Sequence, residues 1–167
     1  MNFLPTENIT FKSKLKEEEI FRRLLNYIEP EKTFRLASFK RGATKPYQGQ
    51  INDKTFEINR IIEYRNSFLP NINGTIGKDF DGMTIKVKMK LNIFVIVFLC
   101  IWFCFAGLGC IISITQFITF SDINPGTIIP FALLLFAYLL TMVGFKFESN
   151  KSKNDLQKLF EADIIRK

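Results

Sequence analysis

Hydrophobic and polar residues are distributed unevenly along the chain and divide it into two contrasting parts. Up to about residue 90 they alternate with short periods, whereas Leu91 to Ser121 and Ile123 to Phe145 contain no Asp, Glu, Lys or Arg. Each of these stretches is longer than the roughly 18 apolar residues that are typical of a transmembrane helix. Only Asp122 separates them, and it lies beside the turn formers Asn124, Pro125 and Gly126. The pattern predicts a helical hairpin with spans at about residues 92–118 and 126–146.

The N-terminal part begins with an amphipathic helical pattern. Ser13 is placed to cap a helix over residues 14–29, three glutamates lie in its early turns, and Pro30 ends it. The apolar positions share one face of that helix and are Ile20, Leu24, Tyr27 and Ile28. We expect this face to pack on a sheet.

Alternation with a period of two predicts the strands of that sheet. The predicted segments are residues 9–12, 34–40, 47–52, 56–68, 72–76 and 84–90, with turns at Asp53-Lys54 and between Gly77 and Gly82. The segment 56–68 reads as one long strand with a bulge near Ile62, and Pro70 as a break after it. Short connections favour an antiparallel meander, with the N-terminal helix on its apolar face.

The fold class that follows is an α+β domain joined directly to the hairpin. After Phe145, apolar residues at helical spacing predict a short amphipathic helix in the tail. We therefore expect a cytoplasmic α+β domain at residues 1–91, a transmembrane hairpin at 92–146 and a cytoplasmic tail helix at 147–167.

The charges predict the orientation of the hairpin. The net charge of the chain is +7. Residues 1–92 carry 17 basic and 11 acidic side chains, and residues 146–167 carry 6 basic and 4 acidic ones. The connecting turn carries one charged residue, Asp122. By the positive-inside tendency, both termini are cytoplasmic in a multi-pass protein of the plasma (inner) membrane. The lysines at the two outer ends of the hairpin are predicted contacts for anionic lipid: Lys86, Lys88, Lys90 and Lys146.

The composition argues against most catalytic chemistry. The chain contains no histidine, which excludes imidazole catalysis and histidine metal sites, and it contains no P-loop, G-x-G-x-x-G or C-x-x-C motif. Its three cysteines all lie in the first predicted span, where packing is their simplest role. We expect a non-enzymatic protein without cofactor or metal. A net charge of +6 on a membrane-tethered domain gives little support to nucleic-acid binding.

Two groups of residues are candidate sites. Arg60 lies on the apolar side of its predicted strand and, with Tyr64 and Arg65, could form a site for a polar ligand; the favoured alternative is that Arg60 pairs with a carboxylate. The second group lies within about 100° on the first span and is suited to close helix packing, either with the second span or with another copy of the chain: Ala106, Gly109, Cys110 and Ser113.

The stretches PYQGQI, RIIEYRNSFLP and DGMTIKVKMKLN resemble a group of small bacterial two-span membrane proteins that have no assigned activity. The likeness covers roughly residues 30–147 and implies the same layout, with no catalytic residues to transfer. The expected function is a membrane-tethered binding or scaffold module with a basic face toward lipid and an unidentified protein partner. The alternative is an oligomeric effector or channel, gated by a ligand of the cytoplasmic domain and lined by polar residues of the spans.

Overall fold

The computed structural model describes residues 4–30, 45–80, 82–120 and 125–165. Within these ranges the chain is α+β, with three helices and a seven-stranded sheet in which antiparallel pairs predominate. The helices are α1 (Glu17–Tyr27), α2 (Ile93–Phe120) and α3 (Pro125–Phe160). The strands are β1 (Thr6–Ser13), β2 (Ile28–Pro30), β3 (Tyr47–Asn52), β4 (Thr55–Arg60), β5 (Pro70–Asp79), β6 (Gly82–Leu91) and β7 (Ala162–Ile165).

The strand order is β2-β3-β4-β5-β6-β1-β7. The predicted meander is confirmed, since β3 to β6 pair in sequence order and antiparallel. β1 pairs antiparallel with β6, β7 adds antiparallel to β1, and β2 pairs parallel with β3. The predicted strand at 34–40 lies outside the described residues.

Three local predictions were wrong. The long strand ends at Arg60, and residues 61–69 form an irregular connection that folds onto α3. Pro70 does not interrupt the strands but is the first residue of β5. A missing N–H is tolerated at that position. The β5–β6 turn is shorter than Gly77–Gly82, because Asp79 already pairs with Gly82.

Ser13 does not cap α1. It is the last residue of β1, and its hydroxyl donates to the Phe160 carbonyl oxygen at 2.6 Å while accepting from the Leu15 N–H. The N-cap position belongs to Lys16, which makes no side-chain capping bond. The hydroxyl that the sequence offers as a cap thus joins the end of β1 to the end of α3.

One face of the sheet is buried under two helices. α1 contributes Ile20 and Leu24, as its apolar pattern predicts, and the C-terminal half of α3 contributes Leu156 and Phe160. The Phe160 ring lies 6.1 Å from that of Phe56 in β4. Phe56 in turn lies across Gly74 of β5, where an added Cβ would be 2.0 Å from its ring. The absence of a side chain at Gly74 therefore makes the space in which α3 meets the sheet.

The tail does not form a helix of its own. α3 runs without interruption for 36 residues, so residues 147–160 continue the second apolar helix. Glu161 adopts φ 45°, the left-handed conformation that often ends helices, and directs the chain into β7. The segment that follows the hairpin thus becomes both a core helix and an edge strand of the sheet domain.

α2 and α3 are each long and apolar enough to cross a membrane. In their most apolar 18-residue windows only 6% and 17% of the residues are buried. Their large apolar side chains therefore face outward instead of forming a core of their own.

Candidate functional site

A polar network joins β4 and the 61–69 connection to α3. The Arg60 guanidinium lies 3.5 Å from the Glu148 carboxylate and 3.4 Å from that of Asp155. Glu148 also accepts a hydrogen bond from the Tyr64 hydroxyl, and Asp155 accepts one from the Tyr47 hydroxyl at 3.1 Å. The two acids are seven residues apart, which places both on one face of α3. Arg60 bridges them across that interval.

The network is buried at its centre and open at one side. Glu148 and Tyr47 have 0% exposed surface, Arg60 has 22%, and Tyr64 has 47%. Removing a fully buried carboxylate from water is expensive, and its guanidinium and phenol partners offset that cost. The arrangement supplies the carboxylate partner that the position of Arg60 on the apolar face requires.

Lys151 extends the network to the surface. Its ammonium lies 3.4 Å from the Tyr64 hydroxyl oxygen and 4.0 Å from the centroid of the Phe147 ring, over the ring face. Phe147 is itself 56% exposed. An exposed aromatic ring in contact with a lysine beside an apolar helix is typical of a membrane–water interface.

Burial raises the pKa values of both tyrosines above the ordinary value. For Tyr64 the hydrogen bond to Glu148 adds to the effect of burial on the pKa, because it favours the neutral phenol beside a carboxylate. For Tyr47 burial is again the largest cause of the raised pKa. Both side chains therefore act as hydrogen-bond donors over the ordinary pH range.

The 61–69 connection is fastened to α3 at a second point, one turn before Glu148. The Asn66 side-chain amide donates to the Gly144 carbonyl oxygen at 3.4 Å, and its carbonyl oxygen accepts from the Phe68 N–H at 2.9 Å. Phe68 packs on Gly144, where an added Cβ would lie 2.9 Å from its ring. Arg65 is exposed and lies outside the contacts of this connection with α3.

The sequence reasoning identified Arg60 and Tyr64 but missed their partners. Glu148, Lys151 and Asp155 were assigned to a separate tail helix, while Tyr47 was read only as a strand residue. One signal was present in the sequence. Phe145, Glu148, Ser152 and Asp155 follow one another at helical spacing without a Pro or Gly between them, which is the pattern of a helix continuing past Phe145.

The C-terminal half of α3 crosses the sheet from the Leu91 end of β6 toward its Met83 end, opposite in direction to β6. At one end Phe68, two residues before Pro70, packs on Gly144, and Pro70 pairs with Leu91 at the end of β6. At the other end Ser13 bonds Phe160 and pairs with Met83 at the start of β6. The Leu91 end of β6 therefore lies where α3 reaches the sheet, and the Met83 end lies where α3 ends.

The lysines of β6 form a column on the open face of the sheet, because they occupy alternate positions of one strand. All three lysines are exposed, while Ile85, Val87 and Met89, which alternate with them, are buried. Measured along the strand from Asn92, Lys90, Lys88 and Lys86 lie about 7, 14 and 20 Å away. Asn92 caps α2, with its side-chain oxygen 3.0 Å from the Phe94 N–H. Lys146 lies half-buried on α3.

The small residues of α2 lie at its contact with α3. Cys110 and Ser113 are buried, and Ala106 and Gly109 are half-buried. A Cβ added to Gly109 would lie 3.2 Å from the Pro130 side chain, so the helices approach closely there. In contrast, Cys100 and Cys104 are exposed on the helix surface.

The alternative of a channel lined by polar residues of the spans involves five residues, which divide into two sets: Ser113, Thr115, Gln116, Thr119 and Thr141. Ser113 and Thr141 are buried, and the Thr141 hydroxyl donates to the Ala137 carbonyl oxygen. Thr115, Gln116 and Thr119 are exposed in the last turns of α2, and the Thr115 hydroxyl donates to the Ile112 carbonyl oxygen. Only the second set is therefore accessible from outside the hairpin.

Among the described residues, no group of three or more His, Cys, Asp or Glu is arranged to hold a metal ion. The chemistry that the network offers is structural, since its donors and acceptors bind one another. Comparisons with protein-family models, curated proteins and solved structures find no match to this chain. The resemblance to small bacterial membrane proteins stays a prediction.

Proposed function

We propose that the protein is an integral membrane protein whose hairpin, α2 and α3, crosses a bilayer. The sheet domain is held against the cytoplasmic surface as a non-enzymatic binding module. α3 is the observation that carries this proposal. Within this one continuous helix, Leu135 and Leu139 are exposed and apolar. Farther along, Leu156 and Phe160 are buried against the sheet. The outward apolar half matches the bilayer, which would cover it.

The depths of the two helices support this arrangement. Gly109 is 16 residues beyond Ile93, and Pro130 is 16 residues before Lys146. Because Gly109 contacts Pro130 in an antiparallel pair, Ile93 and Lys146 lie at the same level, about 24 Å from that contact. An inner boundary at these two residues places Lys146 at the headgroups and Phe147 and Lys151 just beneath them.

Fewer lysines are proposed to contact lipid than the sequence analysis predicted. The Debye length at physiological salt is about 8 Å, so only Lys90 of the β6 column lies within strong reach of anionic headgroups. Lys88 and Lys86 lie farther from the boundary because β6 reaches α2 only at its Leu91 end. Lys90 and Lys146 are the lysines proposed to contact lipid.

The polar network gives the module a fixed attachment. Arg60 and the 61–69 connection contact α3 between Gly144 and Asp155, directly below the proposed span. Asn92 is the only residue between β6 and α2. The sheet is thus joined to both helices without a flexible linker, and a ligand that shifts the sheet would move the ends of both spans.

Native thiols test the membrane insertion without any substitution. Cys100 and Cys104 are exposed on α2, so a charged maleimide would label them readily if α2 faced water. In sealed native membranes we expect them to remain unlabelled, and to react once the protein is denatured in dodecyl sulfate. Rapid labelling in intact membranes, with release of the protein by alkaline carbonate, would rule out the insertion.

A further inference from the structure

The open face of the sheet carries an ordered set of hydrogen-bond donors around the lysine column. Cross-strand pairing places a hydroxyl or amide side chain on each side of every lysine. In one row, Lys86 lies between Thr10 of β1 and Thr75 of β5. In the next row, Lys88 lies between Asn8 of β1 and Asn73 of β5. None of these six side chains is acidic or apolar. The row of Lys90, between Thr6 and Asn71, repeats the pattern.

Protection of a sheet edge does not explain these charges. Lysines commonly protect edge strands from pairing with other chains, but β6 is an interior strand between β5 and β1. Neighbouring lysines on one face repel one another, and opposite charges on cross-strand neighbours would relieve that repulsion. Lys86 and Lys88 have Thr and Asn as those neighbours instead. The nearest acids are Glu57, one strand beyond Asn73 in the row of Lys88, and Asp79 at the hairpin end, so the sheet balances these charges only in part.

The same rows form two shallow grooves. One, of about 690 Å³, is lined by Thr10, Thr75 and Lys86 and reaches Asp79 at the hairpin end. The other, of about 390 Å³, is lined by Asn8, Asn73 and Lys88 as well as Lys86. The Asp79 carboxylate accepts hydrogen bonds from the Phe80 N–H and the Thr84 hydroxyl, and these hold its pKa below the usual range. Asp79 therefore stays charged at the end of the groove, and the nearby Lys86 ammonium also lowers its pKa.

The lining of the grooves restricts the class of ligand. They contain no aromatic ring on which a base or sugar could stack, and Ile165 at the edge is the exposed apolar side chain they offer. A protein partner would normally need apolar or aromatic anchors. Ammonium, hydroxyl and amide donors, which outnumber the one acid lining the described grooves, Asp79, complement the oxygens of phosphate groups. Successive lysines about 7 Å apart match a ligand that carries more than one such group.

We propose that this face, centred on Lys86 and Lys88, binds a water-soluble oligophosphate, an anion with two or more phosphoryl groups. The choice of a soluble ligand over a lipid headgroup rests on the proposed membrane attachment, because these lysines lie about 14 and 20 Å along the strand from Asn92. Lys90 contacts the bilayer and the two lower rows bind the ligand. The proposal thus assigns the binding module its site and the chemistry of its ligand.

Calorimetric titration of the full-length protein with inorganic tripolyphosphate tests the site. The protein is held in a neutral detergent and, separately, in nanodiscs of phosphatidylcholine. We expect one saturable site whose affinity falls as salt rises, and a loss of about tenfold or more in the double variant Lys86→Gln/Lys88→Gln. The matched control, Lys16→Gln/Lys158→Gln, removes the same charge from exposed positions on α3 and at the start of α1, which cover the opposite face of the sheet, and should stay within about twofold of the wild type. Thr10→Val/Thr75→Val keeps every charge and should weaken binding severalfold.

Several results would overturn the proposal. These are no saturable binding of tripolyphosphate, equal losses in the two lysine variants, and dependence on Lys86 and Lys88 only with vesicles containing phosphatidic acid, which would make a headgroup the ligand. Circular dichroism verifies that each variant is folded. Because the detergent titration needs no bilayer, failure of membrane insertion and failure of the oligophosphate site are separate outcomes.

Discussion

Arg60 and Glu148 are 88 residues apart in the chain, and their guanidinium and carboxylate groups lie 3.5 Å apart at the point where α3 passes from its exposed apolar half to its half in the sheet domain. Glu148 is fully buried, and its position on α3 is three residues beyond Phe145. An ion pair at such a place holds a strand end to a helix that we propose crosses a bilayer. In the proposed arrangement this pair would join the sheet domain to the membrane span.

The two halves of this ion pair should differ in their importance for stability. Arg60→Met leaves Glu148 buried without its cation, so we expect a loss of about 3 kcal/mol, at the lower end for buried pairs because Arg60 is 22% exposed. Glu148→Gln keeps the shape of the side chain and a hydrogen bond to Tyr64, and should cost less. Unfolding in detergent, followed by circular dichroism, measures both. If Arg60→Met costs as much in the Glu148→Gln background as in the wild type, the two residues are not coupled.

Two helical glycines provide a matched pair for testing the second fastening point. An added Cβ at Gly144 would lie 2.9 Å from the Phe68 ring, whereas nothing lies within 4 Å of one at Gly107. We expect Gly144→Ala to destabilise the domain by about 1–2 kcal/mol through overpacking, in spite of its better helix propensity. Gly107→Ala should be neutral or stabilising by up to about 1 kcal/mol. Equal melting temperatures for the two variants would contradict the contact with Phe68.

The phenols of Tyr47 and Tyr64 should lose their protons at a higher pH than an ordinary tyrosine does. The pKa values of Tyr47 and Tyr64 are raised above the ordinary 10.0, chiefly by burial, so folding favours their neutral forms. That contribution to stability is complete below the unfolded pKa and is lost as pH rises through the folded values. We expect the free energy of unfolding to fall above about pH 10.

Tyrosinate absorbance isolates Tyr64 when the wild type is compared with Tyr64→Phe. In Glu148→Gln the pKa of Tyr64 should move back toward its ordinary value, since the neighbouring carboxylate is gone. A Tyr64 component that titrates at or below the ordinary value in the wild type would be incompatible with the network.

The lysines of β6 should contribute to lipid binding in the order of their distance from Asn92. Lys90→Gln is expected to weaken the association of the detergent-solubilised protein with vesicles of anionic lipid by several-fold, on the order of 1 kcal/mol. Lys86→Gln, about 14 Å farther along the strand, should have little effect. Co-sedimentation with phosphatidylserine vesicles measures each variant. A larger effect at Lys86 than at Lys90 would mean that β6 does not run away from the bilayer toward its Met83 end.

Local patterns predicted the elements of this fold better than they predicted its long-range partners. The alternation of Ile85, Val87 and Met89 with lysines identified β6 and its buried face, because a half-buried strand has a period of two. The end of β4 could not be read in this way, since apolar residues continue at even positions up to Phe68 in a segment that packs on Gly144 instead of pairing. β7 is only four residues long, and its pairing with β1 depends on the turn at Glu161.

The candidate site shows the same division. Arg60 stood out because a charge on an apolar face needs a partner, but nothing local indicated which of the 16 acidic residues would supply it. Treating residues 147–160 as a separate helix removed the one register that brings Glu148 and Asp155 beneath Arg60. The partner of a buried charge is a property of the tertiary structure, and here it follows from the continuity of α3.

The central claim, that one helix passes from bilayer to sheet domain, is tested most directly by spin labels along a single exposed face of α3. That face is formed by Leu135, Leu139, Val143, Asn150, Asn154 and Lys158. Each would be replaced in turn by a labelled cysteine in a variant without native cysteines, reconstituted in vesicles, and its exposure to oxygen and to a water-soluble nickel complex measured. We predict that oxygen dominates at 135, 139 and 143 and the nickel complex at 150, 154 and 158, with the change near Lys146. High nickel accessibility at all six positions would contradict the proposal.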